Sequence, residues 1–317
     1  MPLLGSHLSI AGGLTNALDE ATRLKLECVQ IFTCNQRQWR VPKLHDEDAA
    51  AWRDAARTFA QSRPATTTAS PDRPRDLIVA HNSYLINLAS PEKDARTRSI
   101  NRQILEVERC AALDIHLLVA HPGAHLETPR KRGEVNQLGQ PPSRDELAGL
   151  RRIAQSLDQV HQATAGCKVI TCLETTVGSG TNLGYDFQHL AIIRDMVKEP
   201  QRIAYCLDTC HVTAAGYDMQ TPALAAAVLD AFDAECGLDL LRVLHLNDSQ
   251  GLPGSRLDRH AHIGDGTCGK ACFEAILNHG GLKHVPAILE TPKGHTPRGT
   301  PWDTVNVRRL KRLRSGP

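Results

Sequence analysis

Eight short apolar runs recur along the chain, and longer polar stretches separate them. The runs are PLLGSHLSI, CVQIFTCN, LIVAHN, IHLLVAHPG, KVITCLETT, RIAYCLDTCH, LRVLHLND and PAILETPK. Such near-continuous apolar content predicts strands that are buried on both faces, as in a parallel sheet. The stretches 92–112 and 144–163 carry apolar residues at helical spacing. Eight strand–helix units therefore predict an α/β fold, a (β/α)₈ TIM barrel.

A chain of 317 residues is long enough for one such barrel. We expect a single domain over 1–317, with insertions near 62–76 and 127–143 and a basic C-terminal tail. No apolar run approaches the roughly 20 residues that a membrane span requires. The first residues lack the pattern of a signal peptide, and the 10 cysteines form no C-x-x-C pair. These features predict an intracellular protein with reduced, mostly buried thiols and no membrane association.

Polar residues end all eight runs. In order these are His7, Asn35, His81, His121, Glu174, Asp208, His245 and Glu290. In a TIM barrel the C-terminal ends of the strands converge on one mouth, where active sites form. Three further residues follow in the loops after the sixth and seventh runs, namely His211, Asp258 and His260. One mouth is thus predicted to collect at least five histidines and four carboxylates.

Any one of these histidines, taken alone, is more often a hydrogen-bonded barrel residue than a metal ligand. The set favours metal ions, because clustered carboxylates need opposite charge and no matching lysines or arginines end the runs. Histidine mixed with carboxylate suits Zn²⁺ and other first-row metals better than Mg²⁺ or Ca²⁺. Nine donors exceed the needs of one tetrahedral zinc ion, so the sequence predicts two or three metals.

The segment RLDRHAHIGDG, residues 256–266, alternates Asp258, His260 and His262. In an extended chain these side chains share one face. The alternation alone fits either solvated surface residues or metal ligands.

These motifs together resemble the endonuclease IV family, the zinc-dependent apurinic/apyrimidinic (AP) endonucleases of base-excision repair. The resemblance covers nearly the whole chain in order. Its blocks include GSHLSIAGGL, FTCNQRQW, HNSYLINLASP, HPGAH, LETTVGSGTNLG, CLDTCHVTAAGYD, HLNDSQ, GSRLDRHAHIGDG and ILETPK. It implies a hydrolase of the deoxyribonuclease IV type on a TIM barrel.

The resemblance implies three zinc ions per chain, with Mn²⁺ an alternative at one site. The first zinc would be held by His81, His121 and Glu174. Glu174 would bridge to a second zinc, whose other ligands are Asp208, His245 and Glu290. The third would be held by His211, Asp258 and His260. His262 departs from the family pattern, and we interpret it as a supporting or surface residue.

The resemblance also implies the reaction. A hydroxide between the first two zincs would attack the phosphate 5′ to an abasic site, and the third would stabilise the leaving 3′-oxygen. Glu290 would orient the hydroxide and Glu174 would fix the metal spacing, so both are the predicted catalytic residues. A 3′-repair diesterase activity is a further expectation.

The implied partner is double-stranded DNA with abasic or 3′-blocked damage, bound by a monomer. By resemblance, two loops would enter the minor groove and fill the gap left by a flipped nucleotide. Their residues here are Asn35, Gln36, Arg37, Tyr84 and Leu85. From the residues alone, Tyr84 and Leu85 fit a place in the core equally well.

Several alternatives stay open. A metal-dependent sugar isomerase or epimerase would share the barrel, although it has no use for NQRQW, and an inactive DNA-binding scaffold would be expected to lack some ligands. The loop 127–143 contains Arg130, Lys131 and Arg132 and is either a solvated excursion or a phosphate contact. The basic tail VRRLKRLRSGP is either a solvated helix end, a nuclear signal or a DNA contact.

Overall fold

Eight parallel strands close into a barrel in the computed structural model, which describes residues 1–62, 76–129 and 134–314. The barrel strands are β1 (Leu3–His7), β2 (Cys28–Phe32), β3 (Ile78–His81), β4 (Leu117–Ala120), β5 (Ile170–Glu174), β6 (Ile203–Asp208), β7 (Leu241–His245) and β10 (Pro286–Leu289). All eight strands fall within the eight apolar runs. The predicted TIM barrel is therefore confirmed.

Helices separate the barrel strands, and most of them form the outer layer. They are α1 (Asn16–Arg23), α2 (Asp46–Gln61), α3 (Lys93–Ala112), α4 (Arg144–Ala163), α5 (Phe187–Met196), α6 (Thr209–Ala215), α7 (Pro222–Cys236), α8 (Lys270–Asn278) and α9 (Trp302–Lys311). Short 3-10 turns occupy Pro200–Arg202, Leu238–Leu240 and Gly280–Leu282. The predicted helices 92–112 and 144–163 correspond to α3 and α4.

The strand register brings the polar strand ends to one rim. Asp208 pairs with His245 across β6 and β7, and His81 pairs with Phe32 across β3 and β2. A short antiparallel ribbon follows β7 on the same side, made of β8 (Asp248–Ser249) and β9 (His260–Ala261). Below the rim the strands are buried and consist mainly of Leu, Ile, Val and Ala, as the low aromatic content predicts.

The face of α3 that packs on the barrel is not wholly apolar. Arg102, Gln103 and Glu106 are buried there beside Ile100 and Val107. The sequence predicted a helix with an ordinary apolar face. The difference arises because these polar side chains bond to backbone and side chains of the loops above and, for Arg102 and Glu106, to each other, which offsets the cost of their burial.

The two expected insertions and the tail lie partly outside the described residues. These residues exclude 63–75, the basic triplet within 130–133 and 315–317. Residues 134–143 are anchored to the barrel mouth, since the buried Asn136 side chain donates to the carbonyls of Val177 and Ala215 at 3.1 and 2.8 Å. A wholly solvated excursion therefore does not describe this part of the loop.

All ten cysteines are free, and all but the half-buried Cys167 are buried, as predicted for reduced thiols. Within the described ranges, every helix is too short or too polar to cross a membrane.

Candidate metal centre

The nine predicted ligands gather at the mouth of the barrel. Strand ends carry His81, Glu174, Asp208 and His245, while Glu290 follows β10 directly. His121 follows β4, and His211 lies in the first turn of α6. Asp258 precedes the ribbon strand β9, and His260 is its first residue. The structure thus brings together all nine residues that the sequence singled out.

The first cluster consists of His81, His121 and Glu174. Nε2 of His81 lies 3.2 Å from Oε2 of Glu174, and Nε2 of His121 lies 3.0 Å from the same oxygen. Donor atoms around a tetrahedral zinc, at metal distances of 2.0–2.1 Å, are about 3.3 Å apart. These separations match that geometry.

The second cluster consists of Glu174, Asp208, His245 and Glu290. Nδ1 of His245 lies 2.9 Å from Oε1 of Glu174, 3.3 Å from Oε2 of Glu290 and 3.7 Å from Oδ2 of Asp208. Glu174 therefore turns one oxygen toward each of the first two clusters. This is the arrangement that a bridging carboxylate requires.

The third cluster lies where α6 meets the ribbon and consists of Asp208, His211 and His260. The predicted ligand Asp258 lies beside it with its side chain half-exposed. Nε2 of His211 lies 3.4 Å from Oδ1 of Asp258, and Nε2 of His260 lies 3.6 Å from it. Oδ2 of Asp208 lies 3.7 Å from Nε2 of His260, so Asp208 faces both the second and the third cluster. Nε2 of His260 is buried and has no hydrogen-bond partner among the described residues. A metal ion bound to its lone pair would be such a partner.

Backbone carbonyls hold the opposite ring edge of three histidines. Nδ1 of His81 lies 2.9 Å from the Asn82 carbonyl, and Nδ1 of His211 lies 2.8 Å from that of Thr175. Nδ1 of His260 lies 3.1 Å from the Glu290 carbonyl. A carbonyl only accepts hydrogen bonds, so each Nδ1 carries the proton and each Nε2 keeps a lone pair for a metal. The donor set therefore fits metal ions.

The histidines keep two of the carboxylates, those of Glu174 and Asp258, ionised. Burial alone would raise the pKa of Glu174, but the facing imidazoles of His245 and His121 hold it well below its usual value. Partial burial opposes ionisation of the half-exposed Asp258, yet its hydrogen bond to His211 lowers its pKa to about 2. Both groups are charged at neutral pH, as metal ligands must be.

Two supporting residues escaped the sequence analysis. Gln30, buried inside β2, has its Oε1 2.9 Å from Nε2 of His245 and donates from Nε2 to Oε1 of Glu290 at 2.7 Å. Asn247 donates to Oδ2 of Asp208 at 2.6 Å and accepts from the Glu290 backbone at 2.7 Å. A polar residue within an apolar strand run was the signal for Gln30.

His7 ends β1 and was noted in the sequence as a strand-end histidine without a role. Its Nδ1 lies 3.1 Å from Oε1 of Glu290. Burial lowers the pKa of His7, although the Glu290 carboxylate opposes that shift. His7 and Gln30 thus contact one oxygen of Glu290, and its other oxygen faces His245.

The predicted DNA-contacting residues lie on two adjoining loops beside this centre. The hydroxyl of Ser83 donates to the Gln36 carbonyl at 2.8 Å and so joins the loops. Asn35, Arg37 and Tyr84 are exposed, whereas Gln36 and Leu85 are half-buried. Tyr84 is 58% exposed, which removes the core interpretation for this residue.

His262 points to a different environment from its two alternating neighbours. Its ring stacks on Trp302 with centroids 3.8 Å apart, and Nδ1 lies 3.1 Å from Nδ2 of Asn306. The regular strand spans only His260–Ala261, so the extended alternation does not persist to His262. His262 thus contacts Trp302 and Asn306 rather than the donor clusters, and its role as a supporting or surface residue stays a prediction.

The barrel and its donor clusters define a metal-binding enzyme of the TIM-barrel class. The family model described as "Xylose isomerase-like TIM barrel" matches residues 18–314. The chain belongs to the endonuclease 4 family. It is 39% identical to a probable endonuclease 4 of Chloroflexus aggregans, with 93% of this chain and 92% of that protein covered. It is 38% identical to a probable endonuclease 4 of Geobacter sulfurreducens, covering 98% and 94%.

Solved structures agree with this family. The crystal structure of endonuclease IV from Thermus thermophilus matches with a TM-score of 0.77 at 31% identity, and 98% of each chain is covered. D-Psicose 3-epimerase of Clostridium cellulolyticum matches with a TM-score of 0.63 at 14% identity, over 99% of this chain and all of that one. The second likeness shows a shared fold alone.

Proposed function

We propose that this protein is a zinc-dependent AP endonuclease of base-excision repair, which hydrolyses the phosphodiester 5′ to abasic sites in double-stranded DNA. The product would carry a 3′-hydroxyl that a polymerase can extend. The same phosphodiester chemistry at a strand end would remove 3′-blocking groups. The observation that carries the proposal is the bridging position of Glu174 between two donor clusters, in a chain of the endonuclease 4 family.

Three zinc ions per chain would fill the three clusters. Glu174 would bridge the first two, His81 and His121 would complete the first, and the third would use His211, Asp258 and His260. Asp208, His245 and Glu290 would complete the second. Mn²⁺ could replace zinc at one of them, because imidazole and carboxylate ligands bind both metals.

The charge balance supports three ions. Four carboxylates face the clusters, those of Glu174, Asp208, Asp258 and Glu290, so three divalent ions leave two positive charges (6 − 4). That excess suits a site that binds a phosphodiester. Bound zinc would supply Lewis acidity and lower the pKa of a coordinated water toward ~7.

The two catalytic glutamates have separate roles. Glu174 is fully buried and contacts both of the first two clusters, so it would fix their spacing. Glu290 has one oxygen held by Gln30 and His7, and its other oxygen faces His245. Held in this way, Glu290 would orient the attacking water.

DNA recognition would fall to the two loops beside the centre. Arg37 and Tyr84 are exposed there, and Leu85 is half-buried next to them. These side chains would fill the gap that a flipped abasic nucleotide leaves in the duplex, while Asn35 and Gln36 contact the flanking strand. We propose that a monomer with one barrel domain binds the DNA, and that it acts inside the cell, where the DNA is.

The test is strand cleavage by the zinc-loaded full chain on a duplex with one tetrahydrofuran abasic analogue. We expect one nick 5′ to the analogue, a 3′-hydroxyl end and no cleavage of the matched intact duplex.

Glu290→Gln should lower the nicking rate by ~10³-fold or more, as expected for a group that acts mainly in the transition state. Glu274→Gln removes an exposed carboxylate on α8 and should have no effect. A Glu290→Gln rate within about tenfold of wild type would refute the assigned role.

A further inference from the structure

Four buried polar side chains share one face of α3, directly beneath the loop that follows β2. They are Arg102, Gln103, Glu106 and Arg109, spaced so that all lie on the side of the helix facing the barrel. Buried charges are costly unless they are paired and hydrogen-bonded. Their partners therefore show what this face is built to hold.

The two guanidinium groups bond to the backbone of residues 33–42, which we call the recognition loop. Arg109 donates to the carbonyls of Pro42 and Thr33 at 2.9 and 2.8 Å. Arg102 donates to the carbonyls of Trp39 and Asn35, each at 3.4 Å. Four carbonyls spread over the recognition loop thus accept from two neighbouring turns of a single helix.

Glu106 completes this arrangement. Its Oε1 lies 2.8 Å from Nη2 of Arg102, and its Oε2 accepts from the hydroxyl of Thr33 at 2.7 Å. The carboxylate therefore fixes one guanidinium and also fixes the first residue of the recognition loop. The cluster leaves one net positive charge buried, which the loop carbonyls face.

Gln103 extends the same face to the second loop. Its side-chain oxygen accepts a hydrogen bond from Asn82, whose own Oδ1 accepts from the Ser83 backbone at 3.1 Å. Ser83 in turn bonds to the Gln36 carbonyl of the recognition loop. One helix face therefore fixes both loops that carry the proposed DNA contacts.

We propose that Arg102 and Arg109 are positioning residues, which hold the recognition loop in the conformation that accepts abasic DNA. In the part of the chain that the structure describes, they bond to backbone, thiol and carboxylate groups alone, so they act through the exposed side chains of Asn35 and Arg37. Preorganising a binding loop reduces the entropy lost on association and so raises affinity. This inference rests on the proposed function.

The variants are Arg102→Lys and Arg109→Lys. They keep the positive charge but replace the planar guanidinium group, which donates to two acceptors in a fixed geometry, by an ammonium group with one nitrogen. Each should raise KM for the abasic duplex about tenfold, the size of one lost charged hydrogen bond, and kcat should barely change. Zinc content should stay at the wild-type value. Amide hydrogens of residues 33–42 should exchange faster with deuterium, because the loop has lost its anchors.

Arg202→Lys is the matched control. Arg202 is also buried and donates to two carbonyls, those of His161 and Thr164, at 3.1 and 3.3 Å. It precedes β6 and thus lies at the opposite end of the barrel from the mouth. Its replacement can lower stability but should leave KM and exchange of the recognition loop unchanged.

If Arg102→Lys fails to fold, the double variant Arg102→Met with Glu106→Gln removes both charges together, which buried pairs tolerate better than loss of one partner. It should show the same rise in KM. The inference is overturned if these variants raise KM no more than Arg202→Lys does, or if they reduce kcat or zinc content instead. If the proposed function itself were wrong, the wild-type protein would leave the abasic duplex uncut, and this result is distinct from an unchanged KM in the variants.

Discussion

The side-chain oxygen of Gln30 lies 2.9 Å from Nε2 of His245, on the ring edge opposite the carboxylates. An amide oxygen accepts hydrogen bonds, so His245 donates from Nε2 and keeps the lone pair of Nδ1, on the side of Glu174, Asp208 and Glu290, for a metal ion. Gln30 thus selects the tautomer of a proposed zinc ligand. The same amide donates to Glu290, so one side chain orients two ligands.

Gln30→Met should therefore weaken zinc binding while keeping the volume of the side chain. Loss of such a supporting group costs roughly 10–100-fold in metal affinity. Competition against a chromophoric chelator measures the effect. Gln159→Met, on the exposed surface of α4, is the control. Equal zinc affinity in the two variants would mean that Gln30 has no part in metal binding.

His211→Ala and Asp258→Ala should each lower the zinc content by about one ion per chain. Only the third cluster would depend on these two side chains, so the other ions should remain. Elemental analysis of the purified variants measures this, and Glu174→Gln should lose more, because it faces two clusters. A folded His211→Ala protein without any zinc would show that the grouping of ligands is wrong.

Arg37→Ala and Tyr84→Ala should weaken binding to abasic duplex far more than to intact duplex. Flipping costs a few kcal/mol, least at a damaged position, and these side chains would offset part of it by filling the gap. Gel-shift affinities for both duplexes measure the difference. Arg57→Ala removes an exposed charge on α2 and serves as control. If each variant lost the same affinity for both duplexes, the two residues would contact DNA without recognising the abasic site.

Stability should fall as the pH drops from about 6.5 toward 4, with His161 as one cause. Burial, helped by the charge of Arg202, lowers the pKa of His161 to about 4. Neither ring nitrogen has a hydrogen-bond partner among the described residues. Below the ordinary pKa of histidine, His161 binds a proton in the unfolded chain but not in the folded protein. Acid therefore favours unfolding.

His161→Leu should remove that part of the pH dependence, up to about 3 kcal/mol between the two pKa values. Urea unfolding of wild type and variant at several pH values measures it. The difference between the two proteins at each pH cancels the contributions of the other histidines. If that difference were constant with pH, His161 would not be the group responsible.

One regularity of the sequence predicted both the barrel and the set of metal donors. Parallel strands place their C-terminal ends on one rim, so a polar residue at each strand end identifies both the topology and the site. The eight strands and the positions of His81, Glu174 and Glu290 followed from that regularity. The family resemblance then grouped the ligands.

The supporting residues could not be reached in this way. Gln30 and Asn247 act through contacts between distant parts of the chain, and their spacing does not reveal their partners. The polar face of α3 was hidden for a related reason, because the partners of Arg102 and Arg109 lie in the recognition loop, far away in the sequence. Tertiary contact, rather than local pattern, decides where a charged side chain is buried.

The most direct test of the central claim is a zinc titration of the metal-free protein, followed by nicking of the tetrahydrofuran abasic duplex. We expect no cleavage by the stripped protein, and full cleavage 5′ to the analogue once three zinc ions are bound per chain. The nick should yield a 3′-hydroxyl that a polymerase extends. Cleavage by the metal-free protein, or an intact abasic duplex with all three zinc ions bound, would contradict the claim.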